Sequence, residues 1–123
     1  MIAGVGTDLC LISRMRRAIG SGGFVRRVFV REEIDYADSR AEPERHYASA
    51  FAAKEALAKA TGLGVFGVGL AMSWVRRTEE GPVMLFEDAL REKLDGMGIG
   101  SCWLSLAHDG DYALAFVVLE RAS

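Results

Sequence analysis

The chain opens on MIAGVGTDL, apolar except for Thr7 and Asp8, and the run reads as a short buried strand over residues 1–9. Gly4 and Gly6 inside it mark places where another backbone or a ligand comes close, and Asp8 ends it. Ser13 reads as the cap of a short basic helix over 14–19, stopped by the loop GSGG at 20–23. FVRRVF reads as a second short helical piece and VREEIDYA as a third, with Glu32 and Glu33 suited to its positive N-terminal turn. Pro43 then starts a long helix over 44–61, ended by Gly62. GLGVFGVG at 62–69 predicts a flexible glycine-rich loop, and LAMSWVRR a strand that returns as 83–86 through a turn around EEGP. EDALREKLDGMG is amphipathic, with Ala89, Leu90, Leu94 and Met97 inward. CWLSLA and YALAFVVLE form a closing hairpin through HDGD at 108–111. This order predicts an α+β architecture, a small and mostly antiparallel sheet packed on one long and several short helices. With no repeat, low-complexity tract or linker, residues 1–123 are expected to be one domain.

Composition narrows the class. Half of the 123 residues are apolar and a quarter are charged, which fits one ordinary globular core. The apolar start lacks preceding basic residues and is broken by Asp8, so it matches neither a signal peptide nor a membrane span, and no membrane association is expected. Cys10 and Cys102 are too few for a disulfide framework, and with His46 and His108 they show no zinc spacing. Two small thiols of this kind suit a reducing cytoplasm.

Charge changes the picture more. Net charge is only −2, yet six arginines fall between Leu9 and Arg31 with no acid among them: Arg14, Arg16, Arg17, Arg26, Arg27 and Arg31. Such a run is often only a solvated helix face. All six being arginine favours a grip on carboxylate or phosphate. The acidic whole and the absence of any nucleic-acid motif argue for an acidic protein partner and against nucleic acid.

FAAKEALAKA at 51–60 carries the chemistry. Seven of its ten residues are alanine, phenylalanine or leucine, so most of the helix circumference should be buried around Lys54, Glu55 and Lys59. Phe51, Glu55 and Lys59 are spaced four apart and share one face, with Lys54 turned about 100° away. Glu55 and Lys59 fit an ordinary surface ion pair, but the alanine-rich surroundings favour a cleft. Asp8 alone reads equally as a turn residue. Paired with Glu55 and a nearby lysine, it fits Mg²⁺ in phosphate chemistry, since Mg²⁺ takes one or two protein carboxylates and completes its shell with water and phosphate.

Asp8 in GTDLCLISR, FAAKEALAKA, GLGVFG and LSLAHDGDYALAFVV together resemble the holo-[acyl-carrier-protein] synthase family of phosphopantetheinyl transferases, from residue 2 to about 120. The resemblance implies that family's fold and a transfer of 4′-phosphopantetheine from coenzyme A to a serine of apo acyl carrier protein. It implies Mg²⁺ held by Asp8 and Glu55, with Asp8, Glu55 and Lys59 as the catalytic set. Glu55, directly or through water, would take the serine proton, and Lys59 would grip phosphate. Lys59, Gly62, Gly64 and His108 would contact coenzyme A, while Arg14, Arg17 and Arg26 would meet the acidic carrier protein. It further implies a homotrimer with coenzyme A between neighbouring subunits. The chain departs from the family pattern at Ala50, at Gly81-Pro82 and at Ala107, where the family usually has Arg, Gly-Lys-Pro and Ser. These departures motivate a rival expectation, a homologue that binds carrier protein or coenzyme A without transferring anything. A structural trimer without a ligand would leave Glu55 unexplained.

Overall fold

In the structure, a computed structural model that describes residues 1–123, strand β1 (Ile2–Leu11) runs into helix α1 (Ile12–Ala18) without a loop. Ser13 is therefore not the cap: Leu11 occupies that position, and the serine hydroxyl is turned to Asp111 across the molecule. Two short helices, α2 (Phe24–Val28) and α3 (Arg31–Asp38), lead to the long helix α4 (Pro43–Thr61). Proline at its start and left-handed Gly62 at its end hold the bounds that the sequence announced.

The glycine-rich stretch is more ordered than expected, forming a short helix α5 (Gly64–Val68) that buries Val68. Leu70–Met72 make a single 3₁₀ turn, so strand β2 (Ser73–Thr78) begins later than the apolar run implied; it pairs with β3 (Gly81–Phe86). In α6 (Asp88–Gly96) only Leu90 and Leu94 are buried. Ala89 lies exposed beside that two-residue stripe, and Met97 is exposed at the C-cap, where the helical repeat no longer aims it inward. β4 (Ile99–Asp109) and β5 (Tyr112–Arg121) close the chain, with His108 and Asp109 belonging to β4 and not to the turn.

All strand pairs are antiparallel, in two sheets instead of one: β1-β5-β4 and β2-β3. Strand alternation puts Ala113, Ala115, Val117 and Leu119 of β5 on one face, all fully buried, and α4 packs on β1 and β5. The contact is a backbone contact. A Cβ on Gly4 or Gly6 would run into the carbonyl oxygens of Ala60 and Ala56, and Ala48, Ala52 and Ala56 are completely buried on the helix. Small residues on both surfaces let α4 sit low enough for Lys59 to reach Thr7 and Asp8 of β1. The opposite face of the sheet remains open and apolar, with Val5, Leu9, Trp103 and Phe116 each at least 40% exposed.

One charge pair lies inside. Lys54, 1% exposed, meets Glu33 of α3 at 2.8 Å and donates to the Ser73 carbonyl oxygen of β2. Glu33 also accepts the backbone N–H groups of Val30 and Val75. Burial presses the Lys54 ammonium towards deprotonation and Glu33 opposes this.

Candidate active site

Asp8 stands on β1 opposite Ala115, on the face that carries α4. Lys59, one turn beyond Glu55, donates to Asp8 Oδ1 at 3.1 Å and to the Thr7 carbonyl oxygen at 3.0 Å. The lysine thus pairs with Asp8, not with Glu55 as the helix spacing suggested, because β1 passes within its reach. Glu55 is left partly buried with a raised proton affinity; burial is the main cause, the Asp8 carboxylate adds to it, and Lys59 opposes it. A partly buried carboxylate whose charge is disfavoured, with the Asp8 carboxylate beside it, forms a place prepared for positive charge. No third aspartate, glutamate, histidine or cysteine joins them in a metal-binding group. That donor set fits Mg²⁺, which relies on water and substrate phosphate for its other ligands, and is too sparse for a structural zinc or a calcium cage.

Gly62 and Gly64 follow Lys59 by three and five residues, both in the left-handed region and with open space where a Cβ would stand. The structure thus groups Lys59, Gly62 and Gly64 at the C-terminal end of α4.

His108 is elsewhere. It lines a cleft of about 240 Å³ with Arg45, His46, Ser49, Arg77 and Pro82. This cleft lies at the N-terminal end of α4, and 14 residues of helix separate Arg45 from Lys59, about 20 Å at 1.5 Å per residue. The site residues expected to hold one coenzyme A therefore form two groups on one chain. Arg77 and Arg45 make the cleft basic, although Arg45 also pairs with Glu42 at 3.3 Å; burial, reinforced by Arg77, Arg45 and Arg40, depresses the His46 pKa to about 4. Arg77 has its own charge disfavoured, chiefly by burial, and has no carboxylate within ion-pair distance. Arg45 and Arg77 escaped the sequence reading because positions 45, 77 and 108 meet only through the tertiary fold. Two of the departures, Pro82 without a preceding lysine and Ala107, line this same cleft, while Ala50 is buried.

The basic run divides as well. Arg16 pairs with Glu44 at 3.3 Å and Arg31 with Asp35 at 3.0 Å. Arg14, Arg17, Arg26 and Arg27 are exposed and make no ion pair within the chain. Arg14 also lines an apolar cavity of about 290 Å³ with Leu9, Met15, Phe24, Phe51 and Tyr112. Phe51 precedes Glu55 by one helical turn on the same face, so the cavity leads from the free arginines towards the carboxylates.

Residues 4–117 match the model of the 4′-phosphopantetheinyl transferase superfamily. A holo-[acyl-carrier-protein] synthase of Geobacter sp. strain M21 is 37% identical, over 98% of this chain and 100% of that one. The crystal structure of holo-[acyl-carrier-protein] synthase from Neisseria meningitidis is 34% identical and superposes with a TM-score of 0.91, over 98% of this chain and 100% of that one. A Bacillus anthracis holo-(acyl-carrier-protein) synthase in complex with CoA (3′,5′-ADP) superposes with a TM-score of 0.82 at 28% identity, over 99% of each chain. With the fold, the full-length match and the order of the motifs in agreement, the chain belongs to the 4′-phosphopantetheinyl transferase superfamily.

Proposed function

We propose that the protein is a holo-[acyl-carrier-protein] synthase, one domain over residues 1–123 that transfers 4′-phosphopantetheine from coenzyme A to a serine of apo acyl carrier protein. The observation that carries this reading is the convergence of Asp8, Glu55 and Lys59 at the seam of β1 and α4. The relatives named for the same reaction support it.

The reaction is an in-line displacement at the β-phosphorus of coenzyme A. A bond forms between the serine oxygen and phosphorus, the bond from phosphorus to the bridging oxygen breaks, and adenosine 3′,5′-bisphosphate leaves. Glu55, directly or through a water, takes the serine proton. Asp8 and Glu55 would hold Mg²⁺, which supplies positive charge against the pyrophosphate oxygens when bound. Lys59 leans on Asp8 in the free protein and is long enough to turn its ammonium to the phosphate. Gly62 and Gly64, lacking Cβ atoms, leave their backbone accessible to the same phosphates.

The other group, His108 with Arg45 and Arg77, suits the nucleotide end. The ribose 3′-phosphate lies one sugar away from the pyrophosphate, too near for one chain to hold both across the length of α4. Two copies resolve this, with the carboxylates of one facing the arginine cleft of the next. The open apolar face of β1-β5-β4 is the surface on which copies would meet, and the family resemblance supplies the number three. The free arginines Arg14, Arg17 and Arg26 face the acidic carrier protein, with the apolar cavity beside Arg14 for one of its side chains. No helix is long and apolar enough to cross a membrane, and the two unpaired cysteines suit the cytoplasm.

Intact-mass measurement after mixing the protein with apo carrier protein, coenzyme A and Mg²⁺ should show the carrier gaining one phosphopantetheine arm. Tight binding of both substrates with no mass gain would select the non-catalytic reading instead.

A further inference from the structure

The helix α1 that bears Arg14 and Arg17 has no means of its own to hold its first turn. It has seven residues, fewer than an isolated helix needs to be stable in water. Leu11 at its N-cap offers no side-chain acceptor, and there is no acid in its first turn. Arg14 sits in that turn, where the positive end of the helix opposes its charge.

The missing acceptors come from 98 residues away. Asp111, in the turn between β4 and β5, accepts the Ser13 backbone N–H on Oδ1 at 2.9 Å and the Ser13 hydroxyl on Oδ2 at 2.6 Å. Its own carbonyl oxygen accepts the Ile12 N–H at 2.7 Å. One residue thus satisfies two of the orphan donors of α1 and supplies the negative charge that its N-terminus lacks. Ile12 and Met15 fasten the buried side of the helix, but greasy contacts tolerate small rotations that hydrogen bonds do not. The direction of the exposed Arg14 side chain, one residue beyond Ser13, depends on that rotation.

We propose that Asp111 is a positioning residue for carrier recognition: from the β4–β5 turn it caps α1 and so aims Arg14 and Arg17. This rests on the reading of those arginines as the carrier-docking surface. Asp111 borders a cleft with His108 and Arg45, but both its carboxylate oxygens are taken by Ser13, so its loss should change the carrier Michaelis constant and spare the chemistry.

The test uses the full chain in steady-state transfer, with amide hydrogen exchange at Ile12 and Ser13 followed in parallel. Asp111→Ala should raise the KM for apo carrier protein by up to about fivefold, the full change in helix equilibrium on losing a side-chain cap. Exchange at Ser13 should quicken, while the KM for coenzyme A and kcat at saturating carrier stay as in the parent. Asp111→Asn keeps an acceptor for the Ser13 N–H and should fall between the two; it also serves as the folded variant if the alanine replacement fails to fold. An equal rise in both Michaelis constants, or an Asn variant as impaired as the Ala one, overturns the proposal. Faster Ser13 exchange with an unchanged carrier KM does so too. Arg14→Glu in the parent separates the two readings. If it raises the carrier KM while Asp111→Ala does not, only the positioning role fails; if it has no effect, the docking surface is wrong and the positioning role falls with it.

Discussion

At the residue scale the carboxylate pair sets function against stability. Glu55 carries a charge that burial and Asp8 both oppose, and its only relief is a lysine occupied with Asp8. Glu55→Gln fixes the neutral form in nearly the same shape. Transfer should fall at least about 10²- to 10⁴-fold from the lost base alone. The melting temperature without Mg²⁺ should stay level or rise, as is common where an active site holds strain. Mg²⁺ should then raise the midpoint of the parent and not of the variant, which differential scanning calorimetry would show. The pH dependence has a definite sign. A carboxyl with a folded-state pKa above its ordinary 4.5 binds its proton more tightly when folded, so its contribution to stability declines as pH rises from 4.5 through the raised value. Activity runs the other way: protonation of Glu55 removes the base, so kcat/KM should fall towards acid pH, and Mg²⁺ held at Glu55 should move that limb to lower pH. Carbon NMR of the Glu55 carboxyl in Asp8→Asn should show its titration shifted down, since the second cause of the rise is gone. An unshifted titration would mean that the two carboxylates do not sense each other.

At the element scale α4 organises everything, and its legibility in the sequence was uneven for physical reasons. Its ends were plain because proline and a left-handed glycine act locally; Gly4 and Gly6 announced a close approach to β1 but not whether by backbone or ligand, and the α4 backbone proves to be what comes close. Which of its charges lies deepest could not be read: adjacent Lys54 and Glu55 sit in the same alanine-rich surroundings. Only the passage of α3 and β2 beside the helix decides that Lys54 is the enclosed one, with Glu33 as partner. The arginine cleft was hidden for a similar reason, as its parts come from α4, β2 and β4. The buried pair carries its own expectation. Lys54→Met leaves the Glu33 carboxylate enclosed with only two backbone N–H partners, and loss of one member of a buried pair costs about 3–5 kcal/mol. Adding Glu33→Gln removes the stranded charge while keeping an acceptor, so the double variant should be more stable than Lys54→Met alone. Urea unfolding at one fixed protein concentration measures the coupling. A double variant as unstable as the sum of the two single losses would show that the ion pair is not what joins α3 and β2 to α4.

At the scale of the whole molecule, the proposed function makes the assembly part of the site, because the carboxylates and the arginine cleft lie apart. A chain that holds carboxylates at one end of α4 and Arg45, Arg77 and His108 at the other cannot serve the pyrophosphate and the 3′-phosphate of the same coenzyme A. An open sheet face bearing Trp103 and Phe116 gives the copies a place to meet. Phe116→Glu puts a charge in the middle of that face; light scattering should report a monomer in place of a trimer, and transfer should be lost with it. A monomer that retains activity would end the shared-site reading. Complementation is the stricter test, because it separates assembly from chemistry. Glu55→Gln removes the base from one side of each site, and a double replacement of Arg45 and Arg77 by alanine weakens the other side. Each protein alone should form trimers and transfer poorly. Unfolded together in equal amounts and refolded, they should form mixed trimers in which an arginine-deficient copy presents intact carboxylates to a neighbour with intact arginines. In a cyclic assembly with random mixing that pairing occurs at about one quarter of the interfaces, so about a quarter of the parental activity should return. Recovery depends on both halves of the site lying in different chains. If the mixture is no more active than the average of its parts, while light scattering shows that mixed trimers have formed, each copy works with its own residues and coenzyme A does not span the interface.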